Sequence, residues 1–559
     1  MQKVLTAAQM REVDRLTTER YGIPSIILME NAAHAVARVI TEKLGGSVKG
    51  KSILILCGKG NNGGDGAALA RVLWTQGADI SLCLMFPDDQ YRGDSRINLD
   101  IFLKLHKKQK SSDGANLCVI EVGAHRMFFD SWENYIGHSV VVDAIFGTGL
   151  DSPLRDDFAL LAKTFSSSFD DKKRPLFLSI DIPSGIDADY STPPGACFRA
   201  DVTVSFTAAK LGNVLPPASD LNGELKIAMI GSPPKLIDEQ PSQLFVAENR
   251  DAAQWLELSQ FSNSSYKNKR GHALIIAGSE TYSGAAVLAG NSAIRSGVGL
   301  VTLACPAEAK TEIASRILPE IILANLGSKE LNDLTQKANA IAVGPGFPAT
   351  DPEIESLVRK IVEERTTPVI VDAGALWFFS PMHGPTEEKL ALQKPAREQG
   401  LDTQVDVEAL ADKNVRVPPL ILTPHEGEFL RLLGTEDKNA IKDRVATVRE
   451  FATTNNVNLV LKGERVLIGH PDGRVVVNPT GNSGLGKAGN GDTLTGILAG
   501  FCAQAAAMDI DIFETVVAAV YIAGLAGDIA EKKYGKRVMT ASDVRECLAD
   551  AFARVEEGG

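Results

Sequence analysis

The residues best able to do chemistry in this chain sit in glycine-rich stretches that directly follow short apolar runs. The first is Gly58-Lys59-Gly60-Asn61-Asn62-Gly63-Gly64-Asp65-Gly66, after the run Ser52–Cys57. The stretch reads as a ligand loop followed by a helix at residues 67–76: glycines let a backbone approach a ligand, and the N-terminus of the following helix would present unpaired N–H groups to an anion. The stretch contains G-x-G-x-x-G at Gly58, Gly60 and Gly63, with Asp79 near the ribose-binding position of a dinucleotide fold. Asn61, Asn62 and Asp65 crowd it with oxygens that suit a cation or a ribose as well as a pyrophosphate. Two more apolar runs end in similar chemistry, one in Asp143 followed by Gly147-Thr148-Gly149-Leu150, the other in Asp181-Ile182-Pro183-Ser184-Gly185. Ligands collect at strand C-termini in a parallel sheet, so Asp143, Asp181 and Ser184 are expected as neighbours in one crevice.

The densest signal is Gly481 to Gly496, which holds Gly484-Leu485-Gly486-Lys487-Ala488-Gly489-Asn490-Gly491-Asp492. It nearly spells a P-loop, G-x-x-x-x-G-K-[ST], but Ala488 replaces the hydroxyl that would hold magnesium. Gly489 to Gly491 would also break the helix that must follow the lysine. A helix starting at Gly491 and Asp492 instead makes an anion hole of backbone N–H groups, with a carboxylate able to accept a proton from a hydroxyl under phosphorylation. Supporting segments are Ser283-Gly284-Ala285-Ala286, Val343-Gly344-Pro345-Gly346, Thr423-Pro424-His425-Glu426-Gly427-Glu428 and Leu461-Lys462-Gly463-Glu464. His425 has no second histidine at zinc-ligand spacing and reads as a polar contact at a helix start.

Apolar, β-branched runs alternating with helical patterns must position these residues, the sequence form of an α/β fold with parallel sheets. Strands are expected at residues 52–57, 80–85, 140–144, 176–180 and 202–206, preceded by helices at 7–20 and 28–43. A proline- and serine-rich texture between residues 215 and 271 suggests a domain boundary near residue 235. Strands resume at 273–277, 300–304, 340–343, 368–371, 458–462 and 466–469, with a polar surface insertion at about residues 380–419. With 58 Lys and Arg against 70 Asp and Glu in 559 residues, the net charge of −12 provides no basic field for nucleic acid. The apolar stretches at 494–508 and 516–527 are too short and interrupted to span a membrane and read as buried helices. The N-terminus shows no export signal, and the seven scattered cysteines read as free thiols of a cytoplasmic protein without a thiolate metal site.

Taken together, these motifs resemble two enzyme families in tandem. Residues 1–235 resemble NAD(P)H-hydrate epimerases, with a Rossmann-like fold, through Asn61 to Gly66, Asp143 with Gly147 to Leu150, and Asp181 to Gly185. Residues 236–559 resemble ribokinase-like NAD(P)H-hydrate dehydratases through Gly284 to Ala286, Val343 to Gly346, Thr423 to Glu428 and Gly489 to Asp492. The resemblance implies that the first domain interconverts the R and S forms of hydrated NADH or NADPH, and that the second dehydrates the S form using ADP or ATP. It places Asn61, Asn62, Gly63, Gly64, Asp65, Gly147, Thr148, Gly149, Leu150, Asp151, Ser152, Pro153 and Asp181 around the hydrate, with Asp181 as acid or base. Potassium (K+) would be held by Asn62, Asp143 and Ser184. In the second domain, Ala285 or Ala286, Gly346, His425 and Asp492 would line the hydrate pocket, with Asp492 as the base. Lys462, Gly463, Glu464, Arg465, Val466, Gly489, Asn490 and Gly491 would surround the nucleotide, which brings magnesium (Mg2+). Small-molecule substrates, no nucleic acid or membrane partner, and a homo-oligomer are expected. The chain departs from the pattern where the family has Met-Ala-Thr (here Leu485-Gly486-Lys487), Asp-Ala-Asp (here Asp372-Ala373-Gly374) and a His (here Ala523). The alternatives are a ribokinase-like small-molecule kinase fused to a nucleotide-binding domain, and an epimerase whose second domain is not catalytic.

Overall fold

The computed structural model describes residues 1–109, 115–121, 137–150, 152–167, 174–263, 265–327, 330–382 and 417–558. The chain forms two compact units, Gln2–Leu244 and, together with Met1, Phe245–Gly559.

In the first unit the helices α1 (Ala7–Tyr21) and α2 (Ser25–Lys43) come first. Thr6 and Gln9 form a capping box at the start of α1, and Gly22, at φ 68°, ends it in the left-handed conformation that costs glycine least. The strands are β1 (Ser52–Cys57), β2 (Asp79–Leu84), β3 (Leu117–Glu121), β4 (Val140–Ala144), β5 (Leu176–Ile180), β6 (Val202–Phe206) and β7 (Glu224–Ala228). They pair in the order β3-β2-β1-β4-β5-β6-β7, parallel throughout. The central strands are apolar and buried on both faces, as a covered parallel sheet requires. β7 begins with exposed Glu224 and half-buried residues, which is why no apolar run announces it. The order reverses between β1 and β4, and a doubly wound sheet opens its ligand crevice at that switch point.

Helix α3 (Asn61–Thr75) starts inside the glycine-rich stretch, so Asn61 to Gly66 form its opening turns rather than a loop. The glycines there serve close backbone approach. A Cβ on Gly63 would lie 1.6 Å from the Gly58 carbonyl oxygen, and one on Gly58 would lie 1.9 Å from that of Ile145.

The second unit's sheet contains β8 (His272–Ile276), β9 (Leu300–Cys305), β10 (Ile322–Asn325), β11 (Ala340–Val343), β12 (Val369–Val371), β13 (Leu420–Leu422), β14 (Asn458–Leu461), β15 (Leu467–Gly469) and β16 (Val475–Val477). They run in the order β16-β15-β14-β13-β12-β11-β8-β9-β10. The pairs among these strands are parallel except for β14–β15 and β15–β16, where two short connections allow antiparallel hairpins. The helices α4 (Ser283–Arg295) and α5 (Asn490–Met508) pack so closely that a Cβ on Gly496 would meet the Ala289 carbonyl at 2.1 Å. Among the described residues one helix, α6 (Ile512–Tyr534), is long and apolar enough to cross a membrane, and it is mostly buried in this unit's core. All seven cysteines are free, and five are buried. Of the expected insertion, residues 383–416 lie outside the described residues.

Candidate functional site

The first unit encloses a cavity of about 450 Å³ at the C-terminal ends of β1, β4, β5 and β6. Asn61, Asn62, Asp65, Gly147, Thr148, Gly149, Leu150 and Asp181 all line it. Gly63 and Gly64 are packed inside instead, Gly64 so tightly that a Cβ would stand 2.7 Å from the Met29 sulfur. Ser152 and Pro153 are not part of the lining, and Asp151 lies outside the described residues.

Asp181 follows β5 in a left-handed conformation, φ 66°, with its N–H donated to the Val204 carbonyl at 2.7 Å. An aspartate tolerates that region at a cost, and a strained functional turn is a common place for it. Its partner is Lys210, which no motif identified. The ammonium is 1% exposed and donates to Asp181 Oδ1 at 2.5 Å, Ser205 Oγ at 2.8 Å and the Phe206 carbonyl at 3.2 Å. Asp181 Oδ2 stays on the Gly147 side, 3.5 Å from where a Cβ on Gly147 would stand. Only the fold could reveal Lys210, because it sits in an apolar segment after β6 and reaches Asp181 through tertiary packing.

Asp143 and Ser184 lie behind Phe146 rather than on the cavity wall. The Asp143 carboxylate accepts from Ser184 Oγ (2.6 Å), Ser184 N (2.8 Å), Ser179 Oγ (3.1 Å) and Ile145 N (3.3 Å). Burial nonetheless pushes its carboxyl above the ordinary value, with these hydrogen bonds opposing. Asn62 Nδ2 donates to the Phe146 carbonyl at 3.0 Å, leaving Asn62 Oδ1 buried with no hydrogen-bond partner among the described residues. A buried orphan oxygen is costly unless something occupies it. With the Phe146 carbonyl and Ser184 Oγ at hand, these neutral oxygens backed by one carboxylate fit a large monovalent cation.

In the second unit the strand ends again converge. Asp372 follows β12, Lys462 follows β14, and Gly344 to Gly346 follow β11. Asp372 is 1% exposed, accepts from Lys462 Nζ at 2.8 Å and from Thr495 Oγ1 at 2.8 Å. Burial would raise its carboxyl, but the Lys462 ammonium and the hydroxyls of Thr423 and Thr495 outweigh it and hold the group below the ordinary value. For Lys462, burial works against the charge, and Asp372 with Glu428 outweighs it and raises the ammonium above its ordinary value.

Helix α5 begins one residue before the expected Gly491, with Gly489 as its cap at φ 90°. Asp492 is therefore in its first turn. Burial, then the charges of Asp372 and Glu428, push its carboxyl up to about 6, and Lys462 opposes the shift. A Cβ on Gly491 would stand 3.3 Å from Lys462 Nζ, so only a bare backbone lets the helix start approach the ammonium. The Asn490 N–H points toward the Lys487 carbonyl at 3.4 Å. Lys487 itself donates to the carbonyls of Arg537 (2.6 Å) and Met539 (2.9 Å), so its charge is spent on the next loop and not on a phosphate.

Gly346, at φ 73°, stands against Ala285, whose Cβ would be 3.0 Å from one on Gly346; Ala286 is fully buried beside Gly278. His425 caps the helix at Glu426–Leu432, its Nδ1 accepting from Gly427 N (3.0 Å) and Glu428 N (3.3 Å), and it is 59% exposed. Gly463 abuts Arg444, which also donates to the Arg465 carbonyl at 3.2 Å. Arg465 donates to the Pro479 carbonyl at 2.7 Å, Glu464 is exposed, and Val466 packs against the core. Asp372, Thr495 and Arg444 complete this cluster; Asp372 and Thr495 lie in stretches the sequence singled out, but none of the three was among the expected site residues. At Gly374 a Cβ would meet the Phe347 carbonyl oxygen at 2.2 Å, so this chain's backbone does not admit a second aspartate there.

Comparison with known proteins covers both units. The chain matches the family described as YjeF-related protein N-terminus over residues 25–212, and the NAD(P)H-hydrate dehydratase family over residues 273–392 and 401–549. The bifunctional NAD(P)H-hydrate repair enzyme of Moorella thermoacetica is 35% identical, across 99% of this chain and 97% of its own. Its counterpart in Thermofilum pendens is 31% identical across the same shares. Among solved structures, the ADP/ATP-dependent NAD(P)H-hydrate dehydratase from Bacillus subtilis, co-crystallized with ATP and Mg2+, is 30% identical and covers 56% of this chain and 99% of its own, with a TM-score of 0.46.

Proposed function

The chain belongs to the bifunctional NAD(P)H-hydrate repair enzymes, and from that premise we propose how its two units divide the work. The first unit epimerises the R and S forms of hydrated NADH or NADPH, and the second dehydrates the S form with ADP or ATP to restore the normal cofactor.

The observation that carries the second assignment is Asp492 in the first turn of α5, raised toward neutrality beside the Lys462–Asp372 pair. Asp492 takes the proton of the substrate hydroxyl as that oxygen attacks the terminal phosphoryl group. The N–H groups of Gly489 and Gly491 at the start of α5 and the Lys462 ammonium face the charge that develops on the phosphoryl oxygens, while the Asn490 N–H is turned to the Lys487 carbonyl. Elimination of the phosphate then restores the ring double bond. Ala285, Gly346 and His425 border the hydrate, while Gly463, Glu464, Arg465 and Val466 border the nucleotide. Magnesium accompanies the nucleotide and neutralises its phosphate charge.

In the first unit the cavity holds the hydrated nicotinamide. Lys210 fixes Asp181 as a hydrogen-bond acceptor, with Oδ2 toward the glycine loop at Gly147. Asn62, Ser184 and the Phe146 carbonyl hold potassium, and Asp143, its oxygens already filled by four donors, supplies the negative charge behind them. Potassium there supplies positive charge near the glycine loop.

The test is recovery of the near-ultraviolet absorbance of reduced nicotinamide from a mixture of R and S hydrates, with chromatography of the epimers. Asp492→Asn removes dehydration and spares epimerisation, and Asp181→Asn does the reverse. Loss of both activities from either change refutes the two-site division. Accumulation of a stable phosphorylated product marks a kinase instead, and epimer exchange without recovery marks a second unit that only binds.

A further inference from the structure

The cavity of the first unit carries more titratable groups than its motifs account for. Asp14, on α1 and ahead of every glycine-rich stretch, lines it together with Asp65, Asp181 and Lys210. An ammonium has three donors, and Lys210 commits all three inside the protein, to Asp181, Ser205 and Phe206, leaving none for a ligand. Its effect is to hold Asp181 Oδ1 as a hydrogen-bond acceptor. Asp14 is opposite in character: its Oδ1 is buried and finds no hydrogen-bond partner, and its carboxylate forms no ion pair, among the described residues. Burial pushes the Asp14 carboxyl up to about 6, with Lys210 opposing and Asp181 adding to the rise. Asp65, on α3, is also pushed well above the ordinary value, by burial first and then by the charges of Asp181 and Asp14. Arg11, on α1 with Asp14, and Lys59 and Asp94 from other segments are the remaining charged groups of the wall. Two carboxyls that share a cavity, one tied to a buried ammonium and the other raised by burial with an oxygen that has no partner, are placed as an acid–base pair.

We propose that Asp14 is a second catalytic residue of the epimerase site, the proton donor that works with the Asp181 carboxylate at the hydrated ring carbon. The assignment rests on the epimerase reading of this cavity. Asp14 gives its proton to the ring hydroxyl, the carbon–oxygen bond breaks with its electron pair leaving on water, and the ring-nitrogen lone pair forms a C=N+ bond. Water then adds to the carbon from the opposite face while Asp181 takes one of its protons, and the C=N+ electron pair returns to nitrogen. The two carboxyls regain their starting states by proton exchange with solvent, so nothing is consumed and the carbon is inverted.

The experiment follows epimer exchange chromatographically across pH in the full-length chain, with the non-enzymatic rate subtracted. In the wild type kcat declines as pH rises above about 6, because the donor loses its proton. Asp14→Asn lowers kcat about 100-fold, the order expected of a lost general acid, with KM nearly unchanged. It also abolishes the decline above that pH. Asp14→Glu recovers part of the rate and the decline, and the ADP-dependent dehydration in the same samples is unchanged. A wild-type profile without the decline overturns the proposal, as does an Asp14→Asn variant with wild-type kcat, or loss of the decline in Asp65→Asn but not in Asp14→Asn. A wild-type chain without any epimerase activity overturns the underlying reading of the cavity.

Discussion

Replacing Lys462 by methionine exposes how the second site's charges hold one another. The ammonium lies 2.8 Å from Asp372 Oδ1, and Asp372 is 1% exposed, so its removal strands a carboxylate that keeps only hydroxyl partners such as Thr495. Breaking one side of a buried pair costs about 3–5 kcal/mol. The Lys462 side chain is 21% exposed, so water screens part of the attraction and about 3 kcal/mol is expected. The sign with pH follows from the direction of each shift. In the native protein the Asp372 carboxyl is held low, so its stabilisation is present above the unfolded value near 3.9 and is lost as pH falls through the folded value. In Lys462→Met only the hydroxyls of Thr423 and Thr495 still oppose burial, the largest influence on the group, so the folded value rises above the unfolded one and stability falls as pH rises. The penalty therefore grows between about pH 5 and pH 7.5, by up to about 1.4 kcal/mol per unit until the new value is passed. Denaturant unfolding of the second unit at the two pH values measures it, and Asp372→Asn combined with Lys462→Met should recover most of the loss. The same change removes the cation that opposes the Asp492 shift. Because a base must be ionised, dehydration by the wild type rises with pH through about 6, and the variant's rise moves upward. A penalty under about 1 kcal/mol, or one equal at both pH values, refutes the argument that this pair is held by its burial.

Three further outcomes follow from the same geometry. Lys487→Met keeps the dehydratase kcat and loses about 1–3 kcal/mol from its two carbonyl bonds, whereas a phosphate-binding lysine would lose activity outright; steady-state kinetics with a thermal melt decides. Gly63→Ala forces a methyl to 1.6 Å from the Gly58 carbonyl oxygen and should cost about 3 kcal/mol or more, while Gly60→Ala, with open space around it, stays near wild type in the same unfolding assay. Exchanging potassium for a bulky organic cation should lower epimerisation and the first unit's melting temperature and leave dehydration intact, and Asn62→Ala should remove the potassium dependence of both; a melt indifferent to potassium refutes the assignment of the orphan Asn62 oxygen.

The central strands were legible in the linear chain because a parallel sheet covered on both faces needs uninterrupted apolar runs, as at Ser52–Cys57, Val140–Ala144 and Ala340–Val343. The half-exposed edge strand Glu224–Ala228 lacked that signature, and Val475–Val477, apolar and buried, was only three residues long; both were missed. The glycine-rich stretches marked where ligands approach, yet the opening turns of α3 looked like loop, because a helix start rich in glycine is stabilised by packing against Gly58, Met29 and Ala144 rather than by propensity.

By itself, then, the sequence determined the α/β class, the tandem of two units and the positions of Asp181, Asp492, Asn62 and Gly491, because strand–glycine–helix junctions are local in the chain. Tertiary structure alone decided which charges stand beside those residues. Lys210 reaches Asp181 from 29 residues away and Lys462 reaches Asp372 from 90, while Asp14 enters the first cavity from a helix that carries no motif. Whether a carboxyl is charged depends on desolvation and on the nearest cation, and both are set by residues that the chain brings together only when it folds.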